Sequence, residues 1–171
     1  MTHQTILGID PGTREMGAAA ICGRRLLYAG VHTLRNGARP YDIVGQARRI
    51  LLELIHDLTP QLVVIEKPLL LPTKRAALVS VIGQELRARG AELGCRTVEM
   101  DARSARRVVV ANASATKLEV ARTLVRDHFP QLAGKLPTPP KRAALGFAPK
   151  DRYWLHMFDA LALAVAASRD H

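Results

Sequence analysis

Sulfur and aromatic side chains are scarce in this 171-residue chain, which holds two cysteines, one Trp, three Tyr and three Phe. Cys22 and Cys95 lie in or beside apolar segments and lack metal-ligand spacing. A disulfide framework and a cysteine-held metal are therefore excluded as organising features, and two buried thiols are expected. With so few aromatics, stacking on aromatic faces cannot be the main mode of recognising a partner. Apolar residues make up 48% of the sequence, yet no run approaches the roughly 18 consecutive apolar residues that a membrane span requires. No basic helix with an aromatic apolar face is visible either, so membrane-surface binding is disfavoured. Met1-Thr-His-Gln4 leads directly into a strand-like segment without a secretory leader, and a reducing cytoplasm is the expected setting. Acidic residues are also in deficit: 15 Asp plus Glu face 25 Lys plus Arg, a net charge of +10. That excess suits a polyanionic partner and its counterion-release energetics; a merely solvated basic surface is the bland alternative.

The length corresponds to one domain, residues 1–171, with room for a substantial core. Thr5 to Asp10 reads as a short buried strand that ends in a Pro-Gly turn. Gly17 to Cys22 and Leu26 to Leu34 follow as an antiparallel meander joined at Gly23-Arg-Arg25. Helical spacing runs from Pro40 to Leu58, and a continuous apolar strand from Leu62 to Glu66. A second helix is expected over Thr73 to Leu93 and a fifth strand over Arg96 to Met100. Asp101 can cap a short helix through Val110, and Ser114 another through His128. Residues 129–150 contain five prolines and two glycines and read as a long irregular loop, often a functional feature. The final helix, about Asp151 to Ser168, is apolar nearly all round and should pack across the sheet. This order describes an α/β fold, a five-stranded mixed sheet flanked by helices. It matches the ribonuclease H-like architecture, in which the first strand lies beside the fourth and would bring Asp10 and Glu66 together.

Three carboxylates stand inside or at the edge of apolar runs: Asp10 in Ile6-Leu-Gly-Ile-Asp-Pro-Gly-Thr13, Glu66 in Leu62-Val-Val-Ile-Glu66, and Asp159 in Phe158-Asp-Ala-Leu-Ala162. An isolated buried carboxylate is costly, and a divalent cation shared by all three relieves that cost. His156, three residues before Asp159, shares its helix face. Taken singly, each has an ordinary reading: a turn-initiating Asp, a solvated strand-end Glu, a helical His satisfied by a neighbour. As a set they suit two-metal phosphodiester hydrolysis, with ions about 3.5–4 Å apart. Asp10 is the candidate bridge, Glu66 stands on one side, and His156 and Asp159 stand on the other. Oxygen donors favour Mg²⁺, and the imidazole tolerates Mn²⁺. Asp10-Pro-Gly-Thr13 also resembles the phosphate-binding turn of sugar kinases and actin-like ATPases, but those need two such domains and 171 residues do not supply them.

Four blocks in order resemble the RuvC family of Holliday junction resolvases. They are Gly8-Ile-Asp-Pro-Gly-Thr-Arg-Glu-Met-Gly17, Val63-Val-Ile-Glu-Lys-Pro68, the segment Ala102 to Val120, and His156-Met-Phe-Asp-Ala-Leu-Ala-Leu-Ala164. The resemblance implies a metal-dependent endonuclease that cuts four-way DNA junctions, leaving a 5′-phosphate and a 3′-hydroxyl. It makes Asp10, Glu66 and Asp159 metal ligands, and His156 falls where members carry Asp or His. Lys117 matches a lysine close to the scissile strand, able to offset charge that develops on the phosphate; a solvated first-turn lysine is the plainer reading. Arg103, Arg106 and Arg107 would position phosphates, as would Lys74 and Arg75 in the basic region after the second carboxylate.

Two departures stand out. Members usually carry an aromatic wedge shortly after the second carboxylate, where this chain has Leu69-Leu-Leu71. The segment from Pro137 to Lys150, with Lys141, Arg142 and Lys150, is long for the family. The resemblance further implies a homodimer, for which the helix from Ala76 to Arg89 has enough apolar residues. Branch-migration machinery is an open partner. The rival expectations are a nuclease of the same fold acting on structured RNA, and a protein that binds branched DNA without cutting it.

Overall fold

Residue parity decides the architecture. Along the first strand Leu7 and Ile9 point one way, while Ile6, Gly8 and Asp10 point the other, because successive side chains of a strand face opposite sides. A computed structural model describes residues 4–35, 39–69, 72–139 and 148–169. The strands are β1 (Thr5–Asp10), β2 (Glu15–Cys22), β3 (Arg25–Thr33), β4 (Leu62–Glu66) and β5 (Arg96–Met100). They form one sheet in the order β3-β2-β1-β4-β5. β1 runs antiparallel to β2 and parallel to β4, with Ile9 level with Ile65. Asp10 and Glu66 therefore end adjacent parallel strands, as the ribonuclease H-like arrangement requires.

Helices cover both faces. On one side α1 (Pro40–Leu58) and α2 (Lys74–Glu92) bury Ala47, Leu51, Ile82 and Leu86 against Leu7, Ile9, Met16, Val63 and Ile65. Pro40 starts α1 at its first position, where its missing N–H costs nothing. Thr59 ends it in the left-handed conformation (φ 44°) before Pro60. On the other side lie α3 (Ala102–Val110), α4 (Lys117–Asp127) and α5 (Pro149–Arg169). From Leu155 to Ala167 every residue of α5 except His156 is buried, because this helix is sandwiched between the sheet and α3 and α4. Each fully buried leucine in it contributes roughly 1.5–3 kcal/mol.

The approach of α5 depends on two glycines. A Cβ on Gly8 would lie 2.0 Å from the carbonyl oxygen of Ala160, and one on Gly17 would lie 1.9 Å from that of His156. Both obstacles are backbone, which cannot swing aside. Gly17 is level with Asp10 across the β1–β2 pair, so the same close contact that seats the helix brings His156 and Asp159 to the carboxylate end of β1.

Several boundaries differ from the sequence expectations. Thr116, not Ser114, caps α4: its hydroxyl accepts from the Glu119 N–H while the Glu119 carboxylate accepts from the Thr116 N–H, a reciprocal capping box. The Ser114 N–H is instead satisfied by Asn112 Oδ1 at 2.9 Å. The expected loop from residue 129 is not irregular throughout. Pro130–Lys135 forms a 3₁₀ helix because Phe129 and Leu132 bury into the α4–α5 core. Pro140 to Phe147, with Lys141 and Arg142, lies outside the described residues. Pro149 opens α5 two residues ahead of Asp151, the expected start, and Asp151 accepts from the Thr138 N–H at 3.2 Å. The cysteines are not joined in a disulfide: Cys22 is half-buried at the end of β2, and Cys95 is buried just before β5, donating to Pro60 O.

Candidate metal centre

Three elements deliver three carboxylates to one point. Asp10 and Glu66 terminate β1 and β4 on the face that α5 covers, and Asp159 descends from α5 itself. One oxygen from each lies within 4.8 Å of the other two. Asp10 and Asp159 are buried and Glu66 is half-buried. Such crowding penalises the ionised forms. Burial first, then the charges of Asp10 and Asp159, push Glu66 up to about 8. Burial also raises Asp159, with Asp10 adding to the effect against the opposing charge of Lys117.

Two positive groups touch the cluster among the described residues. The ammonium of Lys117, at the first position of α4, pairs with Asp159 Oδ2. Burial works against that charge, but Asp159 and Asp10 outweigh it and the lysine is raised. The capping box at Thr116 fixes the helix start, and from there Lys117, its side chain still 43% exposed, reaches Asp159. His156 Nδ1 lies 2.7 Å from Asp10 Oδ2, and its Nε2 lies 3.4 Å from Glu15 Oε2. An ionised carboxylate only accepts, so the Nδ1–H donates to Asp10. Burial pulls the imidazole down, but the Asp10 hydrogen bond and charge prevail and raise it.

The Glu66 carboxylate takes no hydrogen bond and no ion pair among the described residues. The cluster thus carries three acidic groups against two cations in direct contact, and Glu66 feels positive charge only at a distance, from Lys117 and Arg106. This all-oxygen donor set fits a hard divalent cation of the Mg²⁺ or Mn²⁺ type, with water and substrate oxygens completing its shell.

The remaining expected residues distribute unevenly. Arg106 is half-buried on α3 and its charge pulls Glu66 down. Arg103 and Arg107 are exposed on the same helix. Lys74 and Arg75 begin α2 and line a basic cavity with Arg14 and Arg35, on the other side of the sheet edge from the carboxylates. Leu69 is 78% exposed, whereas Leu70 and Leu71 lie outside the described residues. Glu15 was not among the expected residues. The signal for it is the alternation of β2, where position 15 shares a face with Gly17, Ala19 and Ile21.

A five-stranded mixed sheet flanked by helices, with a buried acidic cluster at the ends of β1 and β4, defines a ribonuclease H-like α/β domain. Within that class the fold is that of RuvC. The structure of Thermus thermophilus RuvC superposes with a TM-score of 0.73 at 22% identity, over 97% of this chain and 95% of that one. The T. thermophilus RuvC solved in complex with a Holliday junction substrate gives 0.72 at 22% identity, over 98% and 95%. The yeast mitochondrial Holliday junction resolvase Ydc2 gives 0.62 at 11% identity, over 96% and 77%. No protein-family profile matches the sequence, and no curated protein does. Among the described residues, no helix is long and apolar enough to cross a membrane.

Proposed function

We propose that the chain is a divalent-metal-dependent DNA endonuclease that resolves four-way junctions. The observation that carries this reading is the convergence of Asp10, Glu66 and Asp159 within 4.8 Å at the edge of a RuvC-type sheet. The RuvC solved with a Holliday junction substrate and the yeast resolvase support the choice of branched DNA, as does the net charge of +10.

Asp10, Glu66 and Asp159 would hold up to two ions, with His156 as a further candidate ligand. When bound, such ions lower the cost of forming hydroxide from water and of building charge on the scissile phosphate. The protein's own contribution is positional. Asp10 holds the His156 imidazole through Nδ1 and leaves Nε2 toward Glu15, so the ring orientation is fixed from both sides. Lys117 holds a proton on Nζ at all working pH values and is anchored by Asp159, where it can meet phosphate oxygens. Arg106, beside Glu66, adds positive charge on the approach, and Arg103 and Arg107 extend it along α3 as backbone-positioning groups.

A second copy of the chain supplies the second active site that paired incision requires. The α2 surface, where Val81 is 50% exposed, is the face for it. Sedimentation as a clean monomer at micromolar concentration, with and without DNA, would remove the dimer from this account.

The test is a binding competition in chelator among a four-way DNA junction, a linear duplex of matching sequence and a structured RNA. The junction should compete best. Preference for the RNA would redirect the reading to an RNA-processing nuclease of the same fold.

A further inference from the structure

Five cations on the α1–α2 side have no role in the centre described above. Arg14, Arg35, Lys74 and Arg75 line a cavity of about 560 Å³, whose apolar floor is Ile43 and Leu78. Arg35 also borders an adjoining cavity of about 410 Å³ that continues along α1 past Arg49 and Tyr41. Among the described residues none of the five cations makes an ion pair. Elsewhere arginines are neutralised: Arg39 by Asp42, Arg48 and Arg89 by Glu85, Arg87 by Glu99, Arg126 by Asp127. One carboxylate, Asp42, also lines the trough, but it is held by Arg39; the five unpaired cations repel one another, and an anionic partner relieves that repulsion.

The walls are fixed by backbone. The Leu34 N–H donates to Arg14 O at 2.7 Å, and the Arg35 N–H to Gln46 Oε1 at 2.9 Å. The turn after β1 and the end of β3 are thus tied to each other and to α1. The trough is close to the carboxylates: Thr13, on its rim, is three residues after Asp10, a reach of at most about 10 Å. One strand of duplex carries a phosphate about every 3.4 Å of axis, so about three phosphates cover that distance. An apolar floor beneath convergent cations suits a sugar–phosphate backbone, with sugars on Ile43 and Leu78 and phosphates at the rim.

We propose that this trough is a second phosphodiester-backbone site, holding a DNA arm on the α1–α2 side of the sheet while the carboxylate cluster engages the strand on the α5 side. Arg14, Arg35 and Arg49 become phosphate-contacting residues far apart in sequence, and Lys74 and Arg75 act here and not beside the scissile bond. This assignment rests on the nuclease reading above.

The experiment measures affinity of the full chain for a labelled four-way DNA junction in chelator, from about 50 to 200 mM salt, where each lost phosphate contact lowers the log–log slope by about 0.9. The Arg35→Gln/Arg49→Gln variant should lose about two from the slope, and Lys74→Gln/Arg75→Gln should do the same by an independent change. Arg25→Gln, an exposed cation at the opposite end of the sheet, should keep the wild-type slope. Junction binding by the wild type with unchanged slopes in both double variants would overturn the second site and leave the nuclease reading intact. A loss of about 0.9 in Arg25→Gln, the same per cation as in the double variants, would overturn it in favour of a diffuse basic surface. Absence of any DNA binding by the wild type would overturn both.

Discussion

The two faces of the sheet are built from alternate residues of the same strands, and they follow opposite rules. Toward α1 and α2 stand Leu7, Ile9, Met16, Ala18, Val63 and Ile65, an apolar core with no buried charge among the described residues. Toward α5 the neighbouring positions are Gly8, Asp10, Glu15, Gly17 and Glu66, where glycines admit a helix backbone and carboxylates crowd together. Both faces gain stability from burial, the α5 face through Ile6, Ala19, Ile21, Leu62 and Val64. At its carboxyl end, however, the α5 face loses some of that gain by holding like charges within 4.8 Å. The lesson is that a single strand can carry core and chemistry at once, separated only by parity.

The sharpest way to break that contrast is to substitute adjacent positions. Asp10→Asn, Glu66→Gln or Asp159→Asn should lower incision by about a thousandfold or more, the scale of losing an electrostatic catalytic group, while junction affinity holds. Without metal Glu66→Gln should melt no lower than the wild type, since Glu66 sits beside two other carboxylates and has no ion pair to lose, whereas Asp10→Asn and Asp159→Asn also loosen the contacts to His156 and Lys117. Ile65→Ala, one residue from Glu66, should do the reverse: about 2–5 kcal/mol of stability lost in denaturant melts, with incision per folded molecule retained. Retained cleavage in Asp159→Asn would remove the division of labour between the faces.

Gly17→Ala tests the link between helix seating and site. The new Cβ meets the His156 carbonyl, so α5 must shift. A loss of about 1–3 kcal/mol should come together with weakened Mn²⁺ binding by calorimetry. Stability loss alone would show that the site tolerates a displaced helix.

The pH dependence follows from Glu66. Its folded value of about 8 lies above the ordinary 4.5, so between these limits the folded chain keeps a proton that the unfolded chain has released. Metal-free stability should therefore fall as pH rises from about 5 to 8, by up to about 1.4 kcal/mol per unit at the steepest. Saturating Mg²⁺ should flatten or invert the slope. A metal-free stability that rises steadily over this range would contradict the crowding. The smallest effect concerns His156→Asp, which should keep activity and shift preference from Mn²⁺ toward Mg²⁺ as oxygen replaces imidazole. Silence with both ions would give His156 a more demanding role.

Much of this was legible before folding, because periodicity is a local signal. β1, β4, β5 and α1 occupy the expected spans, and the strand order placed Asp10 beside Glu66. What local patterns could not show were the contacts that α5 makes after a long excursion. His156 meets Asp10 across 146 residues, and Gly8 and Gly17 matter only because a helix lies on them. The start of α4 was readable from Thr116-Lys-Leu-Glu119, but Ser114 offered a competing cap, and the role of Lys117 turned on that choice. Glu15 was hidden by its ordinary strand-edge context. The basic trough was hidden because Arg14, Arg35, Arg49 and Lys74 come from four separate segments.

The central claim, that the carboxylate face is a metal-dependent nuclease centre selective for branched DNA, is tested most directly by incision of a labelled four-way junction beside a linear duplex of matching sequence, with Mg²⁺, Mn²⁺ or chelator. The account predicts symmetric cuts in the junction alone, present with either ion and absent in chelator. Cuts that persist in chelator, or equal cutting of the duplex, would contradict it.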